Sequence, residues 1–296
     1  MRALAGAWLE LSRVSNLPTV WTNVCAAWLI AGGEWADWRL AWLVLGGSLI
    51  YTAGMILNDA ADARLDAVER PGRPIPSGRI SLRHAWRAGF IMLLCGGGMM
   101  VGRGGADTAV VVALAAAVLL YDFYHKPWSG SVLVMAACRV LLYLAAASPL
   151  AEDAAKAWQG PALVPGLLLG AYITGLSLAA RQESRSAGQI AATGVAGRVP
   201  ALLLMAPVFS ALAEAGMMAR VCPVPIAAGL VWWLWRARRL ARRDPPRSIG
   251  PAVGRLLAGI VWVDACLVAA SHPKTAVLFV LLVPVAMLWQ RRVAAT

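Results

Sequence analysis

Apolar runs of roughly 16–21 residues recur from one end of this 296-residue chain to the other, and that is about the length that carries a helix across bilayer hydrocarbon. They lie near 14–32, 39–57, 84–103, 107–122, 131–150, 161–181, 199–216, 220–236, 253–271 and 275–290. The fold class they predict is all-α: a polytopic membrane bundle with about ten spans. Composition agrees. Hydrophobic residues make up 60% of the chain and charged residues 14%, against about 45–50% and about 25% in soluble domains. The loops are too short for a separate soluble domain, so residues 1–296 read as one integral-membrane domain. Its core covers about 10–271, with 275–290 as an extra C-terminal span. The first run is longer than a signal-peptide h-region and carries Asn16 and Asn23, so it is expected to be a retained first helix.

The net charge of +12 would fit a nucleic-acid binder, but its distribution argues for topology. With the N-terminus cytoplasmic, about 22 of the 27 Lys and Arg fall on the cytoplasmic half, including Arg70, Arg73, Arg79, Arg83, Lys126, Arg185 and the run from Arg236 to Arg247. The outer loops keep Arg39, Arg103, Lys156, Arg220 and Lys274, beside six acids from Glu34 to Glu214. The basic excess is therefore the positive-inside pattern, expected in a cell inner membrane with the N-terminus and the charged loops cytoplasmic. Arg291 and Arg292 on the same side favour an even number of spans. Five isolated cysteines, with no CxxC and no Cys/His pairing, give neither a zinc site nor a disulfide framework. Tryptophans near span ends, such as Trp21, Trp35, Trp38, Trp42 and Trp289, read as an interfacial belt.

The chemistry is concentrated after the second run, in Asn58-Asp59-Ala60-Ala61-Asp62-Ala63-Arg64-Leu65-Asp66. On a continuing helix Asn58, Asp59, Asp62 and Asp66 fall within an arc of roughly 100°. Three carboxylates on one face repel unless a cation sits there, and Mg2+ takes one or two carboxylates together with substrate phosphates. The chain has only 15 acidic residues, so three in one short stretch is a large share. Glu69-Arg70-Pro71-Gly72-Arg73-Pro74-Ile75-Pro76-Ser77-Gly78-Arg79 follows; proline and glycine end the helix, and the arginines offer forks for phosphate oxygens. Acids for a metal beside arginines for phosphate are what a diphosphate substrate requires.

The run NDAADARLDAVERPGRPIPSGRIS resembles the first signature of the UbiA superfamily of intramembrane prenyltransferases, NDxxDxxxD followed by RPxPsG, and it stands after the second span as in that family. Arg13 to Thr19 resembles the beginning of the family's first helix, Tyr121 to Lys126 the end of its fourth, and Met135 to Arg139 the start of its fifth. The likeness covers roughly 10–270 and, within the superfamily, lies nearest the ebo-cluster type. It implies nine helices around a central cavity open sideways to lipid, here with a tenth C-terminal helix. It also implies Mg2+-dependent transfer of a prenyl group from a polyprenyl diphosphate to a small acceptor, often aromatic.

Residue by residue, the resemblance implies that Asn58, Asp62 and Asp66, with Asp59 beside them, hold the metal. Lys126 and Arg139 match basic positions near the diphosphate. Arg64, Arg70 and Arg73 are second contacts, and Tyr121 offers an aromatic face to the developing carbocation; Asp122 joins the substrate set. Asn23 could contact the diphosphate or bond another helix. The family's second acidic motif is missing. Its place reads Ala180-Arg181-Gln182-Glu183-Ser184-Arg185, where only Glu183 is acidic, and Arg181 and Arg185 stand where carboxylates are expected. Two arginines could neutralise phosphate directly, or mark a chain that binds the donor without turning it over. His125, next to Lys126, could serve as a general base for the acceptor. Asp264, inside the ninth run, calls for a partner.

A non-catalytic prenyl-diphosphate or lipid-binding or transport role on the same scaffold stays open as the alternative. No internal repeat of the kind transporters show is visible, and the acids stand at a span end and not at midplane. The string Asp62-Ala63-Arg64 echoes the membrane CDP-alcohol phosphotransferases, but the glycine and the later paired aspartates of that motif are absent.

Overall fold

The structure, a computed structural model, describes residues 2–124, 128, 130–183, 199–214, 223–243, 249–291 and 293. Every expected run becomes a helix: α2 (Leu17–Ile30), α3 (Trp38–Ala61), α5 (Leu82–Gly102), α6 (Thr108–Tyr124), α7 (Ser131–Ala147), α9 (Leu163–Glu183), α10 (Val199–Glu214), α11 (Pro223–Ala241), α12 (Ile249–Val268) and α13 (Pro273–Gln290). Three short helices join them: α1 (Arg2–Leu11), α4 (Ala63–Glu69) and α8 (Ala154–Gln159). Among the described residues there is no strand. Six helices there are long and apolar enough to cross a membrane, and the segments Thr108–Tyr124 and Pro200–Phe209 are shorter apolar ones.

Local chemistry sets the helix starts. Asp37 caps α3, its carboxylate accepting from the Arg39 backbone N–H at 2.9 Å, and Asp107 does the same for Val110 at 3.0 Å. Pro18 and Pro273 stand in the first turns of α2 and α13, where a missing N–H costs nothing. Leu94, Val112, Leu133, Leu202 and Leu281 point outward on the bundle surface, which suits helices that meet lipid on that side.

Helices α3, α6, α7, α9 and α12 line the cavity, α2 packs behind α3, α7 and α12, and α5, α10, α11 and α13 buttress the bundle from outside. The α3–α5 pair is the tightest. A Cβ at Gly46 would come within 2.7 Å of the Gly96 carbonyl oxygen, and one at Gly96 within 2.8 Å of the Gly46 carbonyl oxygen. The two backbones touch, as small residues allow between helices in lipid.

Two features differ from the sequence expectation. The first run does not begin at 14 as one helix. Arg13 adopts a left-handed conformation (φ 44°), the chain turns through Val14–Asn16, and α1 folds back so that Ala7 and Leu11 bury against Ile56, Ala60, Ile75 and Ile80. The acidic helix is also not straight. α3 ends at Ala61 and α4 begins at Ala63, with Asp62 at the joint. Hydrogen bonds from Asp62 N to the Asn58 carbonyl (3.0 Å) and from Asp66 N to the Asp62 carbonyl (2.9 Å) carry the helical direction across the break.

Candidate active site

The Pro- and Gly-rich stretch after α4 is a folded cover. Ile75 and Ile80 are buried beneath α1, and Arg79 pairs with Glu10 at 2.8 Å, clipping the cover to α1. This fold-back brings Arg73 over the end of α3. Arg73 Nη1 donates to Asp66 Oδ2 at 2.7 Å and to Asp59 Oδ1 at 3.2 Å, and Arg13 Nη2 donates to Asp59 Oδ1 at 2.9 Å.

Beneath the cover lies a cavity of about 510 Å3. Its two ends differ in chemistry. Asn58, Asp62, Asp66, Arg70, Arg73, Asp122 and Arg181 gather at one end, with Arg13 at its rim. Ile50, Leu114, Leu142, Ile173, Leu257 and Ile260 line the interior. Tyr121 lies between the two, on the same turn of α6 as Asp122. Charge at one end and hydrocarbon along the rest suit an amphiphile with an anionic head and an apolar tail.

Several expected site residues converge here and others do not. Asn58, Asp62, Asp66, Arg70, Arg73, Tyr121, Asp122, Arg139 and Arg181 all line the cavity. Asp59 does not: it is buried behind Asp62 and engaged by Arg13 and Arg73. Arg64 is exposed away from the cavity. Arg181 Nη2 donates to Ser131 Oγ at 2.8 Å, which holds the guanidinium between α9 and α7. Lys126, His125 and Arg185 lie outside the described residues, as does the side chain of Glu183. Among the described residues no three Asp, Glu, His or Cys side chains stand close enough to hold a metal ion by themselves. Two buried polar atoms at the charged end, Asn58 Nδ2 and Asp122 Oδ2, reach no partner at full hydrogen-bond geometry, although the two side chains face each other. Asp122 is 4% exposed, so an unpaired oxygen there is costly without a cation or donor.

A second polar cluster sits deeper. Asp264 is fully buried and accepts from Asn23 Nδ2 at 2.7 Å and from the Tyr143 hydroxyl at 3.0 Å. Arg139 donates to Asn23 Oδ1 at 2.6 Å and to Thr19 Oγ1 at 3.2 Å, with its guanidinium 5.4 Å from the Tyr51 ring centre. Asn23 therefore stands off the cavity, passing hydrogen bonds between Arg139 on the wall and Asp264 behind it. Asn16 donates to the Tyr51 hydroxyl at 3.1 Å and completes that wall. The sequence reading assigned no role to Arg13, Asn16 or Tyr51; the basic residue just ahead of the first apolar run was the signal available for Arg13.

The sequence profile of the UbiA prenyltransferase family matches residues 18–256. The chain is 33% identical over 121 residues to a digeranylgeranylglyceryl phosphate synthase of Korarchaeum cryptofilum, covering 41% of this chain and 43% of that one. It is 34% identical over 106 residues to a 4-hydroxybenzoate octaprenyltransferase of Pectobacterium carotovorum, covering 33% and 37%. The matched stretch thus spans about two fifths of the length of these curated relatives. Among solved structures, the apo form of a UbiA homologue from Aeropyrum pernix superposes with a TM-score of 0.65 at 14% identity, over 87% of this chain and 97% of that one. A structure concerning digeranylgeranylglyceryl phosphate synthase in membranes gives 0.53 at 17% identity, over 98% and 96%. At such identities the likeness concerns the fold.

Proposed function

We propose, since this chain belongs to the UbiA prenyltransferase family, that it transfers a prenyl group from a polyprenyl diphosphate to a small acceptor at the membrane surface. The observation that carries the reading is the two-ended cavity, with carboxylates and arginines at one end and hydrocarbon walls along the rest. Residues 1–296 act as one integral-membrane domain, with 275–290 as an added C-terminal helix. The N-terminus and the charged end of the cavity face the cytoplasm across a cell inner membrane, on the arginine asymmetry.

The donor set fits Mg2+. Asn58, Asp62 and Asp66 offer hard oxygen ligands, and two carboxylates completed by substrate phosphates match this ion's habit. The unpaired Asp122 oxygen faces the same end and supplies a carboxylate that the stretch after α9 lacks. A Mg2+ ion held by Asn58, Asp62 and Asp66 would supply positive charge to a departing pyrophosphate. Arg70, Arg73 and Arg181 bind the remaining phosphate oxygens, joined by Lys126 and Arg185 from outside the described residues. Arg73 holds Asp59 and Asp66; it turns to the diphosphate as the donor enters. The allylic C–O bond breaks toward the diphosphate, and the Tyr121 face stabilises the positive charge left on the prenyl carbon. A bond to the acceptor then forms, and the acceptor loses a proton.

The names of the relatives point to two acceptor classes, 4-hydroxybenzoate and a prenylated glyceryl phosphate. Both are anionic, and the arginines at the charged end of the cavity are suited to either. The test is binding of farnesyl or geranylgeranyl diphosphate to purified protein in Mg2+ and then in EDTA. Metal-dependent binding followed by transfer to 4-hydroxybenzoate or to a glyceryl phosphate ether supports the reading. Binding without transfer to any acceptor favours a carrier role, and no binding by folded protein removes the donor assignment.

A further inference from the structure

The charged end of α11 holds a second recess that prenyl transfer does not use. A cavity of about 210 Å3 is walled by Trp232, Trp235, Arg236, Arg239, Arg243 and Arg255. Arg236 and Arg239 stand one turn apart on α11, and Arg243 follows in the turn just past its end, where its N–H bonds the Leu240 carbonyl. Arg255 reaches across from α12. Each guanidinium near a tryptophan lies against its ring: Arg236 is 5.0 Å from the Trp232 centre, Arg239 4.6 Å from Trp235 and Arg255 5.5 Å from Trp233.

Positive-inside topology explains arginines at this end of the helix. It does not explain why four of them converge. Charges that only set orientation repel least when spread over solvated loops. Here Arg236 and Arg243 act on Arg255 as like charges, and no carboxylate among the described residues lines the recess. Arg255 Nε is buried without a hydrogen-bond partner, a donor in need of an acceptor. The stacked rings fix the guanidinium planes, which leaves their edges free to bond. Trp232 and Trp235 are about half exposed on the outside of the bundle, where acyl chains run.

From this geometry we propose that the recess is a binding site for a phosphate-type anion, carried by the headgroup of an anionic phospholipid whose chains lie along Trp232 and Trp235. Arginine forks match phosphate oxygens, and basic pockets between membrane helices on this side take anionic headgroups. α12 is shared: Val253, Leu257 and Ile260 face the large cavity while Arg255 faces the recess, so the two sites stand back to back across one helix.

The experiment uses the full chain purified in neutral detergent, with dioleoylphosphatidylglycerol, dioleoylphosphatidylcholine and inorganic phosphate as probes, read by native mass spectrometry and by the thermal midpoint. The expected result is retention of phosphatidylglycerol about ten-fold or more above phosphatidylcholine, lost when Arg239→Gln and Arg255→Gln are combined. If that double variant does not fold, Arg255→Lys keeps the charge and removes the fork, and it weakens retention by itself. Protection by inorganic phosphate equal to that by phosphatidylglycerol supports the anion site and makes the free ion its ligand. Equal retention of both lipids with no effect of phosphate, or no difference between wild type and both variants, overturns the proposal.

Discussion

Two of the carboxylate–arginine clusters among the described residues, one at the mouth of the cavity and one in the interior, are built to opposite ends. At the mouth, Asp59, Asp66, Arg13 and Arg73 pair directly, ion to ion, and the neighbouring Asn58 and Asp122 keep buried polar atoms without partners. In the interior, Asp264 and Arg139 never touch. Asn23 stands between them, Tyr143 and Thr19 bond the remaining sides, and the Thr22 hydroxyl also acts on the Asp264 carboxyl. A closed network has no bonding capacity to offer a ligand and ties helices together. An open one with spare donors and acceptors can exchange partners. Similar residue types thus close on themselves in one place and stay open to a ligand in the other, and the unsatisfied atoms separate the two better than residue identity does.

This contrast can be broken by experiment, most severely in the interior. Asp264→Ala leaves the Asn23 amide and the Tyr143 hydroxyl without their acceptor and Arg139 without a counter-charge, so stability falls by about 3–5 kcal/mol, seen as a large drop in the thermal midpoint in detergent. If the midpoint stays put, the interior cluster is not a structural tie. At the mouth the expectation is reversed. Asp62→Ala lowers Mg2+-dependent affinity for a prenyl diphosphate by roughly 100-fold, about 2.7 kcal/mol, while the midpoint moves little; unchanged affinity would sink the metal assignment. Tyr143→Phe removes one bond from the closed network and costs about 1–2 kcal/mol of stability, and a donor affinity that falls instead would merge the two clusters. Arg181→Ala weakens diphosphate binding by about ten-fold, 1.4 kcal/mol, checked by the same titration, and no change would return Arg181 to a topological role. Arg79→Ala, which opens the exposed pair with Glu10, changes stability by at most about 1 kcal/mol, measured by chemical unfolding.

The reach of the sequence differs between these two regions. Spans and fold class were legible because lipid imposes a length and a polarity that few other environments do. Asn58, Asp62 and Asp66 were legible because their four-residue spacing survives the break at Asp62, and all three reach the cavity. Asp59 shares the arc on a helical projection, and only the fold-back of Arg13 and Arg73 shows it to be held away. The left-handed turn at Arg13, which aims α1 and that guanidinium, has no glycine to announce it. The interior network was illegible in detail: Asp264 plainly needed a partner, but Asn23 stands 241 residues away, and periodicity carries no information at that distance.

The contact of α3 with α5 adds a mechanical consequence. From Gly46 to Asn58 is one unbroken helical arm of roughly 18 Å at 1.5 Å per residue. A methyl group added at Gly46, 2.5 Å from Met100 Cγ and 2.7 Å from the Gly96 oxygen, must lever the two helices apart. A tilt at that fulcrum arrives at the far end as a displacement of Asn58 and Asp62. The geometry of the charged end is therefore exposed to mutations far from it, and a glycine deep in the bundle governs how the acids at its rim are aimed.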